Sequence, residues 1–227
     1  NFLDTLKILK TASRDLTKPV MILERSFNVE NPKDNLIEYR NSLAELINMT
    51  PKENISCYTD GSRTESGCGA GYIITTNNNN STINESYYKL PDYCTVFQAE
   101  LSAIEEACKY LTTQQNMDII IWTDSLSSVQ ALTSNISRST SVNNCYNSLQ
   151  TLAIHNTVTI RWIAAHTGLW GNERADELAK LGTNSSNLIQ CPIPQSYIKA
   201  QIDNKVKDIN CELWNQNGQR HTNMILG

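Results

Sequence analysis

The chain has 227 residues, 40% hydrophobic and 19% charged, enough for one sizeable domain with extensions or for two small ones. Its net charge of −4 argues against a simple basic nucleic-acid binder, and no run of eighteen apolar residues exists that could span a membrane as a helix. Seven cysteines, an odd count without a C-x-x-C pair, argue against a disulfide framework or a zinc site and point to a reducing intracellular compartment, cytoplasm or nucleus. The first residue is Asn and no signal-peptide pattern follows, so the sequence reads as an excerpt of a longer chain.

Residues 1–50 read as two helical pieces around a loop. Phe2, Leu3, Leu6 and Leu9 form one apolar stripe, and Leu36, Leu43, Leu46 and Ile47 form another. Pro19, Pro32 and the polar run Asn28-Val29-Glu30-Asn31 lie between them. From Ile55 the texture changes to strands. Ile55 to Asp60 is the first, Gly67 to Thr76 the second and Ile83 to Leu90 the third, and their short connections predict an antiparallel meander. Gly67, Gly69 and Gly71 do not fit a phosphate-binding loop and are read as positions of close backbone approach. Thr95 to Leu111 is predicted as a helix, Asp118 to Thr123 as a buried parallel strand, and Ser125 to Leu132 as a second helix. A helix over residues 142–154, a strand over 157–164 and a helix from Gly171 to Gly182 complete the pattern. That order predicts an α/β fold whose mixed sheet of five strands combines a three-strand antiparallel meander with two parallel strands, flanked by helices.

Four acidic residues fall where this topology converges. Asp60 and Asp124 end neighbouring strands, while Glu100 and Asp176 lie on helices packed against the same sheet. Each alone has a plainer reading: Asp60-Gly61 as a turn, Glu100 as a partner of the helix dipole, Asp124 as a helix cap, Asp176 as part of a solvated face with Glu173 and Glu177. Residues 51–182 carry thirteen acidic against eight basic groups, so the negative charge is concentrated around these four. Together they form a hard oxygen donor set suited to Mg²⁺ or Mn²⁺. A pair of such ions supports in-line phosphodiester hydrolysis.

Tyr58-Thr59-Asp60-Gly61-Ser62, Gln98-Ala99-Glu100-Leu101, Trp122-Thr123-Asp124-Ser125, and His166-Thr167-Gly168 followed by Gly171-Asn172-Glu173-Arg174-Ala175-Asp176 resemble the motifs of the ribonuclease H family, in the family's order. The resemblance covers roughly Ile55 to Leu181. It implies the ribonuclease-H-like fold, cleavage of the RNA strand of RNA–DNA hybrids, and two Mg²⁺ ions, or Mn²⁺, held by Asp60, Glu100, Asp124 and Asp176. It assigns His166 to proton transfer or product release, and Gly61, Ser62 and Asn172 to the substrate backbone. Phe97 to Glu100 and Trp162 to His166 are most similar to ribonuclease H segments of non-LTR retrotransposon polyproteins, which implies a reverse transcriptase upstream in the full chain. Domain boundaries follow: residues 1–50 as a helical extension or linker, 51–183 as the catalytic domain, and 184–227 as a helical tail. A catalytically degenerate copy acting as a connector or binding module is the alternative. Three departures bear on substrate affinity. Val96 stands where the family often has a hybrid-contacting asparagine, Arg138 is the only cation between Asp124 and Thr157, and residues 1–50 show no basic hybrid-binding module.

Overall fold

The structure, a computed structural model, describes residues 15, 21–22, 24–32, 37, 39, 55–76, 81–134, 136–166 and 168–225. The central sheet has six strands in the order β2-β8-β6-β3-β4-β5. These are β2 (Asn28–Glu30), β3 (Ile55–Thr64), β4 (Gly67–Thr76), β5 (Ser81–Leu90), β6 (Asp118–Thr123) and β8 (Thr157–Trp162). Strands β3, β4 and β5 form the antiparallel meander, while β3–β6, β6–β8 and β8–β2 pair in parallel. A two-residue strand β1 (Met21–Ile22) pairs separately with β7 (Ile136–Ser137). The helices are α1 (Val96–Leu111), α2 (Leu126–Thr133), α3 (Thr140–Leu152), α4 (Trp170–Gly182) and α5 (Gln195–Ile225).

The mixed α/β sheet is as expected, with two differences of detail. The run Asn28 to Asn31, read as a loop, contributes a sixth strand beside β8. Val29 is its one apolar side chain and packs on the core, and Glu30 reaches across to Arg161 at 2.7 Å. A strand with a single apolar residue gives no alternation to read. The first strand also does not stop at Asp60 but runs on to Thr64, leaving Asp60 in mid-strand. The apolar stripes expected over residues 2–9 and 36–47 lie outside the described residues, apart from Ile37 and Tyr39, which are helical.

Helices α1 and α3 cover one face of the sheet with large side chains. Leu101, Ile104, Leu111, Tyr146, Leu149 and Leu152 close over Cys57, Tyr72, Ile74 and Ile121. Helix α4 covers the other face by a different device. Ala175 and Leu178 meet Ile73, and a Cβ added to Gly71 would stand 2.7 Å from Leu178 Cβ, so α4 comes this close only because β4 carries glycine there. Gly69 and Gly71, two of the three glycines read as points of close approach, therefore receive a helix. All seven cysteines are free, and Cys57, Cys108 and Cys145 are buried in the apolar core.

Beyond α4 the chain runs along the end of β5, with hydrogen bonds between Lys89 and both Asn187 and Ile189. Tyr93 Oη then donates to Cys191 O at 2.9 Å before α5 begins. Among the described residues no helix is long and apolar enough to cross a membrane.

Candidate metal centre

Parallel pairing of β3 and β6 puts Thr59 opposite Thr123, so the next residues, Asp60 in mid-β3 and Asp124 just past the end of β6, follow side by side. Continuous apolar residues from Ile119 to Trp122 fix that register by burial on both faces. Helix α1 supplies the third carboxylate. It starts at a capping box in which Thr95 Oγ1 accepts from Gln98 N at 3.2 Å and Gln98 Oε1 accepts from Thr95 N at 3.1 Å. Its first turn rests directly on Gly61, where an added Cβ would meet Ala99 Cβ at 2.9 Å and Glu100 N closer still. The glycine after Asp60 thus serves helix approach and not a turn.

Asp60, Glu100 and Asp124 each offer a carboxylate oxygen, and these oxygens lie within 4.8 Å of one another. Asp60 and Glu100 are buried, at 7% and 6% exposure, and Asp124 is half-buried. Burial pushes the Asp60 carboxyl up to about 7, aided by the charges of Asp124 and Asp176 and opposed by the Gly61 backbone hydrogen bond and by Lys180. Glu100 is pushed well above the ordinary carboxylate range by burial first, then by Asp60 and Asp124. Asp124 is raised by burial as well, but a hydrogen bond from the Asn172 side chain and the charge of His166 hold it back. Trp162 Nε1 anchors the Asp124 carbonyl at 2.9 Å.

Asp176 stands apart from the three. It lies on α4, near enough for its charge to raise both Asp60 and Asp124, and its Oδ2 accepts from Lys180 Nζ at 2.6 Å. His166 is exposed in the β8–α4 connection with φ of 56°, a left-handed conformation uncommon for a residue with a side chain. Ser62 is half-buried, two residues beyond Asp60 on β3 and therefore on the same face. Asn172 is buried in the first turn of α4. Val96, the departure noted on α1, is exposed at the helix start.

Two buried oxygens at this end of the sheet have no hydrogen-bond partner among the described residues, Glu100 Oε2 and Asn172 Oδ1. Unpaired buried acceptors beside mutually repelling carboxylates are costly unless a cation joins them. The donor set is all oxygen, without Cys, and fits Mg²⁺ or Mn²⁺. Gln98 had no role of its own in the sequence beyond its place in the motif Gln98-Ala99-Glu100-Leu101, and Asp15, which lies beside it in the structure, did not stand out. The Thr95-x-x-Gln98 spacing was a legible signal for Gln98; Asp15 had none.

The family model described as RNase H matches residues 52–184. Among solved structures, the chain is similar to RNase H1 from the halophilic archaeon Halobacterium salinarum NRC-1 at 20% identity and a TM-score of 0.48, over 57% of this chain and 96% of that one. It is also similar to the N-terminal RNase H domain of a Mycobacterium tuberculosis protein, solved as a fusion with maltose-binding protein, at 18% identity and a TM-score of 0.49, over 58% and 94% of the two chains. No curated protein matches the sequence.

Proposed function

Because the chain belongs to the RNase H family, we propose that it is an endonuclease hydrolysing the RNA strand of RNA–DNA hybrids, with two divalent cations held by Asp60, Glu100, Asp124 and Asp176. One observation carries this reading: three carboxylate oxygens from β3, α1 and the end of β6 converge within 4.8 Å in a buried site, and Glu100 Oε2 there lacks a partner among the described residues. A surface acidic patch would not leave a buried acceptor unpaired.

Mg²⁺ or Mn²⁺, when bound, supplies Lewis-acid stabilisation of charge building on the phosphodiester oxygens and lowers the pKa of water. The protein's part is positioning. Asp60 takes the central place among the residues that would hold the ions, being the carboxylate on which the charges of Asp124 and Asp176 both act. Asn172 and the Trp162 ring N–H orient Asp124 from opposite ends, one through its carboxylate and the other through its carbonyl. His166, exposed beside Asp124, assists proton transfer or eases product release. Gly61, Ser62 and Asn172 meet the substrate backbone, and contacts to the 2′-hydroxyl select RNA over DNA.

Phosphate contacts dominate nucleic-acid affinity. With thirteen acidic and eight basic groups over residues 51–182, the domain binds hybrid weakly and salt-sensitively when alone. The remaining affinity comes from a reverse transcriptase upstream in a retroelement polyprotein, acting where hybrids form in cytoplasm or nucleus. The catalytic domain of this reading spans residues 51–183.

The test incubates the protein and an Asp124→Asn variant with labelled hybrid, duplex RNA and duplex DNA in Mg²⁺. Cleavage of only the hybrid's RNA strand, lost in the variant, is the expected result. Intact hybrid with the unmutated protein sinks the enzyme reading and leaves a non-catalytic binding module; equal cutting by the variant sinks the site assignment.

A further inference from the structure

A second buried polar cluster lies two residues from Glu100 on the same helix. Gln98 is 1% exposed. Its Nε2 faces three acceptors, Pro192 O at 2.9 Å, Ser141 Oγ at 3.1 Å and Asp15 Oδ2 at 3.2 Å. Asp15 spends its other oxygen on the start of α3, accepting from Ser141 N at 2.7 Å and Ser139 Oγ at 2.9 Å. Its own amide donates to Ile193 O at 2.9 Å. Ser139 is in turn the N-cap of α3, accepting from Val142 N. Four distant pieces of chain therefore meet at the first turn of α1: Asp15, Thr95 to Gln98, Ser139 to Ser141, and Pro192-Ile193.

Two of those pieces fall outside residues 52–184, the span matching the family. Asp15 belongs to the N-terminal extension, and Pro192-Ile193 to the connection before α5. The first turn of α1 is pressed against Gly61 on the sheet side and tied by Gln98 to these two segments and to α3. Glu100 leaves the helix between those constraints. Among the described residues its Oε2 has no hydrogen bond. The backbone hydrogen bond its carboxylate does receive comes from Gly61, directly under the helix start, so its position follows from how the start of α1 sits on β3.

We propose that Asp15 and Gln98 are positioning residues that set the place of Glu100, so that the metal centre is completed by segments on both sides of the family-matched domain. The physical reason is that buried, hydrogen-bonded polar groups specify geometry sharply, and a misplacement of about 1 Å in a catalytic group costs roughly a hundredfold in rate. Truncating the Asp15 side chain leaves Ser141 N and Ser139 Oγ without their acceptor and Gln98 Nε2 without one of its three. That loosens the start of α1 over Gly61, although the Asp15 amide keeps its bond to Ile193 O. The inference rests on the metal-dependent nuclease reading for its consequence, but its first readout needs no nucleic acid.

The experiment uses the full chain. Mn²⁺ binding is measured by calorimetry without hybrid for the unmutated protein, Asp15→Ala, the milder Asp15→Asn, and Leu152→Ala. Leu152 lies in the core at the far end of α3, and its truncation lowers Tm without touching the node. Asp15→Ala is expected to weaken Mn²⁺ binding about 10-fold or more, as loss of an outer support of a metal ligand does. The Mg²⁺ concentration for half-maximal cleavage should rise by the same factor, while Leu152→Ala leaves both unchanged at a comparable loss of Tm. If Asp15→Ala fails to fold, Asp15→Asn, which keeps an acceptor for α3 but turns an amide towards Gln98 Nε2, should still weaken Mn²⁺ binding several-fold. Mn²⁺ affinity within twofold of the unmutated protein for the folded Asp15 variant, or an equal weakening in Leu152→Ala, overturns the proposal. A protein that binds Mn²⁺ with this sensitivity to Asp15 yet leaves hybrid intact refutes the nuclease reading alone.

Discussion

Gln98 and Glu100 sit two residues apart on α1 and are almost equally buried, yet their surroundings are opposite. Gln98 has partners for both ends of its amide: Thr95 N–H on its oxygen, and Asp15, Ser141 and Pro192 around its nitrogen. Glu100 faces Asp60 and Asp124, which repel it, and its Oε2 has no partner among the described residues. A satisfied buried network rigidifies a fold, whereas an unsatisfied one costs stability and persists only where function requires it. The contrast separates framework from site within a single turn of helix. Substitutions on each side of it have different signatures.

The largest effect is expected for Glu100→Gln. Hybrid cleavage should fall by about 10³-fold, the scale of losing one preorganised electrostatic group. The same change removes a buried negative charge from a repelling cluster, so the metal-free protein should melt a few degrees higher. Activity and stability measured on one sample check both halves, and a variant that loses activity and also melts lower would place Glu100 with the framework.

Gly61→Ala comes next. A methyl there collides with Ala99 Cβ and the Glu100 amide, and overpacking of that kind costs about 1–3 kcal/mol. Since the displaced atoms belong to the turn carrying Glu100, cleavage by the folded fraction should fall about a hundredfold. Retained activity after correction for folded fraction, determined from the melting curve, would mean that α1 need not lie so close.

Asn172→Ala touches the site from the opposite helix and should act more mildly. Loss of its hydrogen bond to Asp124 weakens activity by about 10-fold, at the low end for outer partners of metal ligands. It also lets burial lift Asp124 further, so the acid limb of the pH–rate profile should move to higher pH. A rate loss with no movement of that limb would point instead to the substrate contact proposed for Asn172.

The contrast also explains what was legible in the sequence. Ile119 to Trp122 and the meander show plainly because burial demands apolar runs, and the carboxylates stand beside them in short fixed motifs. Asp60 was misplaced at a strand end because a glycine after an aspartate signals a turn locally, while here it answers to a helix 39 positions later, at Glu100. Strand β2 hides because its hold on the sheet is backbone pairing plus the Glu30–Arg161 ion pair, neither of which leaves a hydrophobic period. Asp15 is invisible for a stronger reason: its partners lie 83 to 178 positions away, from Gln98 to Ile193, and a lone aspartate in a polar stretch carries no trace of them.

The mildest test varies only pH. Asp60 titrates near 7 in the folded chain against an ordinary 3.8, so the native state binds its proton more tightly than the unfolded state does. Protonation therefore favours folding: the contribution is full below about pH 4 and is lost as pH rises through about 7. Glu100 and Asp124 are shifted in the same direction and act in the same sense. Metal-free protein in chelator should thus show a melting temperature that declines from pH 4 to 7 relative to Asp60→Asn, in which the central carboxyl no longer titrates. Mg²⁺ at a hundred times its dissociation constant adds about 2.7 kcal/mol and should offset part of the loss at pH 7. The Gln98 cluster holds no such pair of like charges, so Gln98→Leu should lower the curve through lost hydrogen bonds and not by relieving repulsion. Parallel curves for Asp60→Asn and the unmutated protein would remove the repulsion on which the contrast between the two clusters depends.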